Sequence, residues 1–210
     1  MTEKAILPLN NARITAGYKN ALYRQKMGFA HFGTDMADLN RKDTAVYAPF
    51  KMKVVAVGYD NLMGGTIIAV SVNPIDVHYG PKKGARRLAV RMAHLAKMYV
   101  KVGDVVAPDD AKIADYGSTG KYGGSAHLHI EIDTDINYPQ YSPTLSRSSN
   151  IWKTGRDSTV NPMDVFKVDA SGKRGYKQSL SHAKSSGAWV QPDDKTTLDL
   201  DGKIVKAKGV

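Results

Sequence analysis

The chain contains no cysteine, which excludes disulfides and thiolate metal ligands and leaves the redox compartment open. It has no run of about eighteen apolar residues, so no transmembrane span is expected. Acidic side chains are the scarcer sign: 20 Asp and Glu stand against 30 Lys and Arg, a formal net charge of +10 over 210 residues. That balance favours polyanionic surroundings, either nucleic acid or an anionic bacterial cell wall, and no nucleic-acid motif selects the first. The densest basic run, Lys82-Lys83-Gly84-Ala85-Arg86-Arg87, serves equally well as a solubilising loop. The opening residues, Met1 to Pro8, lack a basic stretch followed by an apolar one, so no classical secretory signal is read. Work outside the producing cell would then need another release route, or a leader not included here.

Helical periodicity is also scarce. Nothing in residues 1–132 sustains it beyond about two turns, while short β-branched runs recur between turn signals, the pattern of an all-β protein. Residues 1–30 read as irregular apart from a short strand at Arg13-Ile14-Thr15-Ala16. Residues 52–72 read as a hairpin turning at Asn61-Leu62-Met63-Gly64-Gly65. Residues 73–87 read as a long excursion, and strands are expected at 88–95, near 101–108, at 113–116 and at 126–132. Residues 133–160 read as a long loop, with Tyr138, Tyr141 and Trp152 capping the core or meeting substrate. Phe166 is expected to pack on the domain after a closing turn at 161–165, and 197–206 reads as a terminal hairpin around Asp201-Gly202.

Ala126-His127-Leu128-His129-Ile130-Glu131 puts two imidazoles two positions apart in an alternating strand. Side chains at i and i+2 share a face, so His127, His129 and Glu131 point one way and Leu128, Ile130 and Ile132 point into a core. His31-Phe32-Gly33-Thr34-Asp35 offers a second pair of ligands on one face of an extended chain, with Gly33 leaving that face open. A catalytic zinc uses three protein ligands and keeps a fourth position for water. His31, Asp35 and His129 supply those three from two strands. His127 stays one step away on the same face, and His94, on a separate strand, approaches from the other side. One free imidazole is then available to take a proton and another to stabilise an oxyanion or protonate a leaving amine. Glu131 reads either as an acceptor for a ligand histidine or as a solvent-exposed carboxylate. His78 and His182 fall in expected loops, with exposure the default. The glycine-rich segment 117–124 matches neither a Walker loop nor a dinucleotide fingerprint and reads as a mobile wall beside a substrate groove. No His-Glu-x-x-His helix is present.

These segments, with Ile14-Thr15-Ala16-Gly17-Tyr18, Val46-Tyr47-Ala48-Pro49, Met92-Ala93-His94-Leu95, Val102-Gly103-Asp104-Val105-Val106, Gly117-Ser118-Thr119-Gly120 and Asn161-Pro162, resemble the lysostaphin-type, LytM-like zinc endopeptidases of bacterial cell-wall metabolism. The resemblance runs from about Ile14 to Phe166. It implies zinc on His31, Asp35 and His129, with His94 and His127 as catalytic histidines. It also implies an antiparallel β core, barrel-sandwich or β-sandwich-like, with long loops flanking a groove. The substrate implied is bacterial peptidoglycan, cut in its stems or crossbridges. The sequence departs from the family at Pro108-Asp109-Asp110-Ala111, in the long 73–87 excursion and in 133–160, which obscures bond specificity. The expected organisation is a peptidase domain over 1–169, with its core about 14–166, and a C-terminal extension over 170–210 too short to be a domain. With no signal or wall-binding module read, the architecture looks like a phage lysin or virion-associated enzyme acting at the cell wall or periplasm. The weighed alternatives are a virion structural protein with secondary lytic activity, a non-hydrolytic regulator of wall hydrolases, and a basic nucleic-acid-binding protein.

Overall fold

Alternation fixes the centre of the sheet. In a computed structural model, which describes residues 2–10, 12–38, 40–108, 110–137 and 157–166 (21–22 as backbone) and the strand backbones 176–178, 188–192, 196–198 and 204–206, Leu128, Ile130 and Ile132 all face a continuous apolar core. Their strand, β11 (Leu128–Asp133), lies between β2 (Gly33–Asp38) and β8 (Ala89–Met98). Both pairings are antiparallel, with His129 opposite Asp35 on one side and Ala93 on the other. The other strands of this sheet are β1 (Ala12–Ala16), β3 (Ala45–Val46), β4 (Met52–Asp60), β5 (Gly64–Ser71), β9 (Val105–Val106), β10 (Ala114–Tyr116) and β12 (Thr159–Val160). To them are added β13 (Tyr176–Gln178) and β14 (Ala188–Pro192).

The main path runs β13-β14-β1-β2-β11-β8-β5-β4-β9. Every pairing is antiparallel except that between β1 and β14. Among the described residues the path stays open, because β9 pairs only with β4 and β13 only with β14. Of the expected architecture, the described residues show the antiparallel, sandwich-like sheet with long loops and no closed barrel among them. The expected 52–72 hairpin is β4 and β5. The 73–87 excursion carries a small hairpin of its own, β6 (Ile75–Val77) with β7 (Gly84–Arg86). At the chain end β15 (Thr196–Leu198) pairs antiparallel with β16 (Ile204–Lys206).

β8 changes partners along its length. Ala89 to Ala93 pair with β11, whereas Leu95, Lys97 and Met98 pair with β10. The switch falls at His94, whose φ of 60° is left-handed. A non-glycine residue in that region marks a local irregularity that its surroundings must hold in place. Here the backbone N–H of His94 donates to the Met63 carbonyl and its own carbonyl accepts from Gly117 N–H, both at 2.8 Å.

Residues 2–10 form no helix or named strand and β1 falls at the expected short strand, but the stretch to residue 30 is more ordered than expected. Ala5, Leu7, Leu9, Ala12 and Ile14 join the core, and α1 spans Ala21–Met27. Its signals stand in the sequence: Asn20 Oδ1 accepts from Tyr23 N–H, and Gly28 closes the helix at φ 81°. The closing turn before Phe166 is a one-turn helix, α2 (Pro162–Val165), capped by Asn161, and Phe166 is fully buried. No described helix is long and apolar enough to cross a membrane. Tyr138, Tyr141, Trp152 and His182 lie outside the described residues.

Candidate metal centre

The polar face of β11 is buried as thoroughly as its apolar one. His129, Glu131 and Asp133 are each less than 5% exposed, because the segment from Gly17 to His31 folds across them. Lys19 N–H donates to the His31 carbonyl and His31 Nδ1 donates to the Gly17 carbonyl. The Tyr23 ring stacks on the His31 ring with centroids 4.2 Å apart. Lys19 Nζ pairs with Asp157, and Tyr18 Oη hydrogen-bonds Thr159 Oγ1 at 2.7 Å. Lys82 Nζ donates to the Asp157 and Thr159 carbonyls, both at 2.6 Å. Tyr18 and Lys19 thus fasten the covering segment to 157–159, a stretch that Lys82 also holds.

Three donor atoms meet beneath it. His31 Nε2 lies 3.1 Å from both Asp35 Oδ1 and His129 Nδ1, and His129 Nδ1 lies 2.7 Å from Asp35 Oδ1. Ligands at about 2.0 Å from a tetrahedral ion stand roughly 3.3 Å apart, so the triangle fits a single ion after shifts of a few tenths of an ångström. The protons of both imidazoles are placed accordingly. His31 Nδ1 faces a carbonyl and carries its hydrogen, while His129 Nε2 faces Glu131 Oε1 at 3.3 Å. Each ring therefore directs its other nitrogen inward, where a bound cation would take the place of a proton. Among the described residues this is the one group of three or more such side chains close enough to share an ion, and all three are buried.

The charges agree with the donor set. Burial alone would raise the Asp35 carboxyl, but His31 and His129 beside it hold it well below the ordinary carboxylate range. Burial alone would lower His129, and the Asp35 and Glu131 carboxylates overturn that, raising it to about 10. Positive charge is strongly favoured at this point, which is the electrostatic requirement for a divalent cation.

His94 and His127 flank the triangle. Their ring centroids are 4.7 Å apart, and that of His94 is 5.9 Å from that of His129. His94 Nδ1 donates to the Thr119 carbonyl at 2.9 Å and His127 Nδ1 to the Ser125 carbonyl at 2.6 Å. Nε2 is left as the accepting nitrogen of each ring; that of His127 is 3.6 Å from Asp35 Oδ2. Burial, followed by the neighbouring His129, pushes His94 down to about 4, so it stays neutral near pH 7. His127 does not sit within the strand as expected. β11 begins at Leu128, and His127 is held just before it by a bridge to Gly117.

Several other expectations need revision. His78 is mostly buried beside Asp76, at 3.3 Å, rather than exposed. The 117–124 loop is pinned. Lys121 and Tyr122 N–H donate to the Asn61 and Leu62 carbonyls, and Thr119 Oγ1 accepts from Gly65 N–H while donating to the Leu95 carbonyl. Its glycines serve close packing: a Cβ on Gly120 would meet Gly64 N at 2.3 Å. Nor does Gly33 leave its face open, because the His129 ring occupies the space where a side chain would stand. Sequence reasoning missed Tyr23 over His31, although an Asn20 cap and an aromatic three residues later were visible. It also missed Arg91, which reaches Glu131 and Asp133 from β8.

Comparisons with known proteins agree with this geometry. The model of Peptidase family M23 matches residues 30–141, just over half of the chain. No curated protein matches significantly. Among solved structures, the antimicrobial peptidase lysostaphin from Staphylococcus simulans is 23% identical with a TM-score of 0.51, covering 97% of this chain and 65% of that one. Its catalytic domain, crystallised without phosphate, is 23% identical with a TM-score of 0.49, over 76% and 93% of the two chains. The SpoIIQ–SpoIIIAH pore-forming complex is 17% identical with a TM-score of 0.54, over 79% and 92%. At these identities lysostaphin and the SpoIIQ–SpoIIIAH complex bear on the fold alone. The matched segment, by contrast, contains His31, Asp35, His94, His127 and His129, and with it the chain belongs to peptidase family M23.

Proposed function

We propose that this protein is a zinc-dependent endopeptidase that hydrolyses peptide bonds in the stems or crosslinks of bacterial peptidoglycan. The observation that carries the reading is the buried triangle of His31 Nε2, Asp35 Oδ1 and His129 Nδ1. His31, Asp35 and His129 would hold the metal. When bound there, zinc supplies Lewis-acid polarisation of a scissile carbonyl and of a water molecule.

The remaining chemistry belongs to the side chains. His94 and His127 act as the catalytic histidines, each with Nδ1 anchored on a backbone carbonyl and Nε2 ready to take a proton. His94, kept neutral, accepts a hydrogen bond from the attacking water or donates to an oxyanion after protonation. His127 is the more accessible of the two rings and the better placed to hand a proton to the leaving amine. Its Nε2 lies 3.6 Å from Asp35 Oδ2, which places it beside the metal-binding triangle. The excess of positive charge would retain the enzyme on an anionic wall. Action at the bacterial cell wall or periplasm is part of this reading. So is a peptidase unit over 1–169 with the 170–210 segment as an appendage.

Purified peptidoglycans of different crosslink chemistry, digested and analysed by mass, provide the test. Fragments ending at a cleaved amide are expected, with activity lost to a chelator and restored by zinc. His31→Ala, Asp35→Ala and His129→Ala should lose the metal and the activity together. Intact polymer in every digest with stoichiometric zinc bound refutes the assignment.

A further inference from the structure

A line of buried charge runs behind the metal-binding triangle. His129 Nε2 donates to Glu131 Oε1 at 3.3 Å, Glu131 Oε2 lies 3.7 Å from Arg91 Nη1, and Arg91 Nη1 donates to Asp133 Oδ2 at 3.2 Å. Glu131 is 0% exposed, Asp133 3% and Arg91 6%. The ladder itself delivers this contact, since Arg91 of β8 stands directly opposite Glu131 of β11.

We propose that Glu131, held in place by Arg91, is a positioning residue for His129. By accepting the Nε2 proton it fixes the tautomer and ring orientation that turn the Nδ1 lone pair toward His31 and Asp35. Stability gives little reason to keep such a line inside a sheet, because a buried ion pair is often matched or bettered by apolar side chains of the same volume. Its charge supplies a functional reason. Glu131 and Asp133 against Arg91 leave one net negative charge, and Asp35 adds a second, so a divalent cation on the triangle brings the buried group to neutrality. A carboxylate on the far nitrogen also makes a histidine a stronger ligand. The inference rests on the metal-binding reading above and extends it to residues that never touch the ion.

The test compares wild type, Glu131→Gln, Arg91→Met, Arg91→Lys and His31→Ala by zinc competition against a chromophoric chelator. Circular dichroism monitors folding. Glu131→Gln is expected to weaken zinc binding by about 10- to 100-fold. Arg91→Met should weaken it less, and Arg91→Lys should recover most of that loss. In long-range proton–nitrogen spectra of the zinc-loaded wild type, His129 should carry its proton on Nε2. A purely structural Glu131 would move neither quantity while the fold is intact. If His31→Ala loses zinc but folded Glu131→Gln stays within about threefold of wild type, the positioning role is overturned and the metal site stands. A wild-type His129 protonated on Nδ1 overturns it without any variant. Unchanged zinc affinity in His31→Ala overturns the metal site itself.

Discussion

Gly33→Ala tests the geometry of the site with a single methyl group. A Cβ at position 33 would lie 2.6 Å from His129 Cε1, 2.8 Å from His129 Nε2 and 2.7 Å from the Ile130 carbonyl oxygen. Unstrained carbon contacts are about 3.5–4.0 Å, so the intrusion approaches 1 Å. Neither neighbour yields cheaply. The Ile130 carbonyl belongs to the central strand between β2 and β8, and the His129 ring is held by Asp35 on one side and Glu131 on the other. Overpacking of this kind costs about 1–3 kcal/mol. At about 2–4 °C per kcal/mol for a protein of this size, a cost near 2 kcal/mol lowers Tm by roughly 4–8 °C. The displaced ring should also weaken zinc binding by at least about tenfold, as loss of ligand orientation does. Gly58→Ala, on β4 with nothing within 4 Å of its Cβ position, is the control and should be neutral or slightly stabilising. Calorimetry and zinc titration of both variants read the outcome. Equal Tm and equal zinc affinity in the two would refute the claim that Gly33 exists to admit the His129 ring.

His94→Ala and His127→Ala should keep stoichiometric zinc, read by elemental analysis, while kcat falls by about 10²-fold or more. Because His94 sits at φ 60°, His94→Gly should be about 1 kcal/mol more stable than His94→Ala in denaturant unfolding, with the same expected fall in kcat. Burial raises Asp164 to about 6. The folded state therefore holds its proton more tightly than the unfolded chain, and this carboxyl lowers stability as pH rises from about 4 to 6. Asp164→Asn should match wild type below about pH 4 and exceed it by roughly 1 kcal/mol at pH 7, after allowance for partial exposure; urea unfolding at both pH values checks it. Asp157→Ala removes the partner of Lys19 and the acceptor for Thr159, and should destabilise by about 2–3 kcal/mol. Proteolysis should then begin between Gly17 and His31.

What was legible in the sequence was whatever strand periodicity carries. Leu128, Ile130 and Ile132 against His129 and Glu131 gave the correct facing of β11, and the 52–72 hairpin followed from its turn residues. His31, Asp35 and His129 were picked out as a ligand set by residue type and spacing, and the fold brings their donor atoms within reach of one another. Local reasoning failed where a residue's neighbours come from far along the chain. Gly33 looked like open space because the ring that fills it arrives from residue 129, 96 positions later. The 117–124 loop looked mobile because its hydrogen-bond partners lie in the 61–65 turn and at Leu95. The two candidate fates of Glu131 differ only in whether Arg91 and the covering segment lie over it. The short helix at 21–27 was missed for a different reason: at seven residues it is too brief for periodicity, and only its Asn20 and Gly28 ends announce it.

The change of partner halfway along β8 separates two tasks within a single ribbon. The stretch before His94 is bound to the strand that carries His129, and the stretch after it is bound to β10, which in turn leans on β3. Ile113, Tyr116 and Val46 therefore lie on the side of β8 that follows His94, while His129 lies on the strand paired with the stretch before it, and β5 spans both stretches. On the reading proposed above, substitutions in β3 and β10 should change turnover more than zinc affinity, which steady-state kinetics beside zinc titration would check.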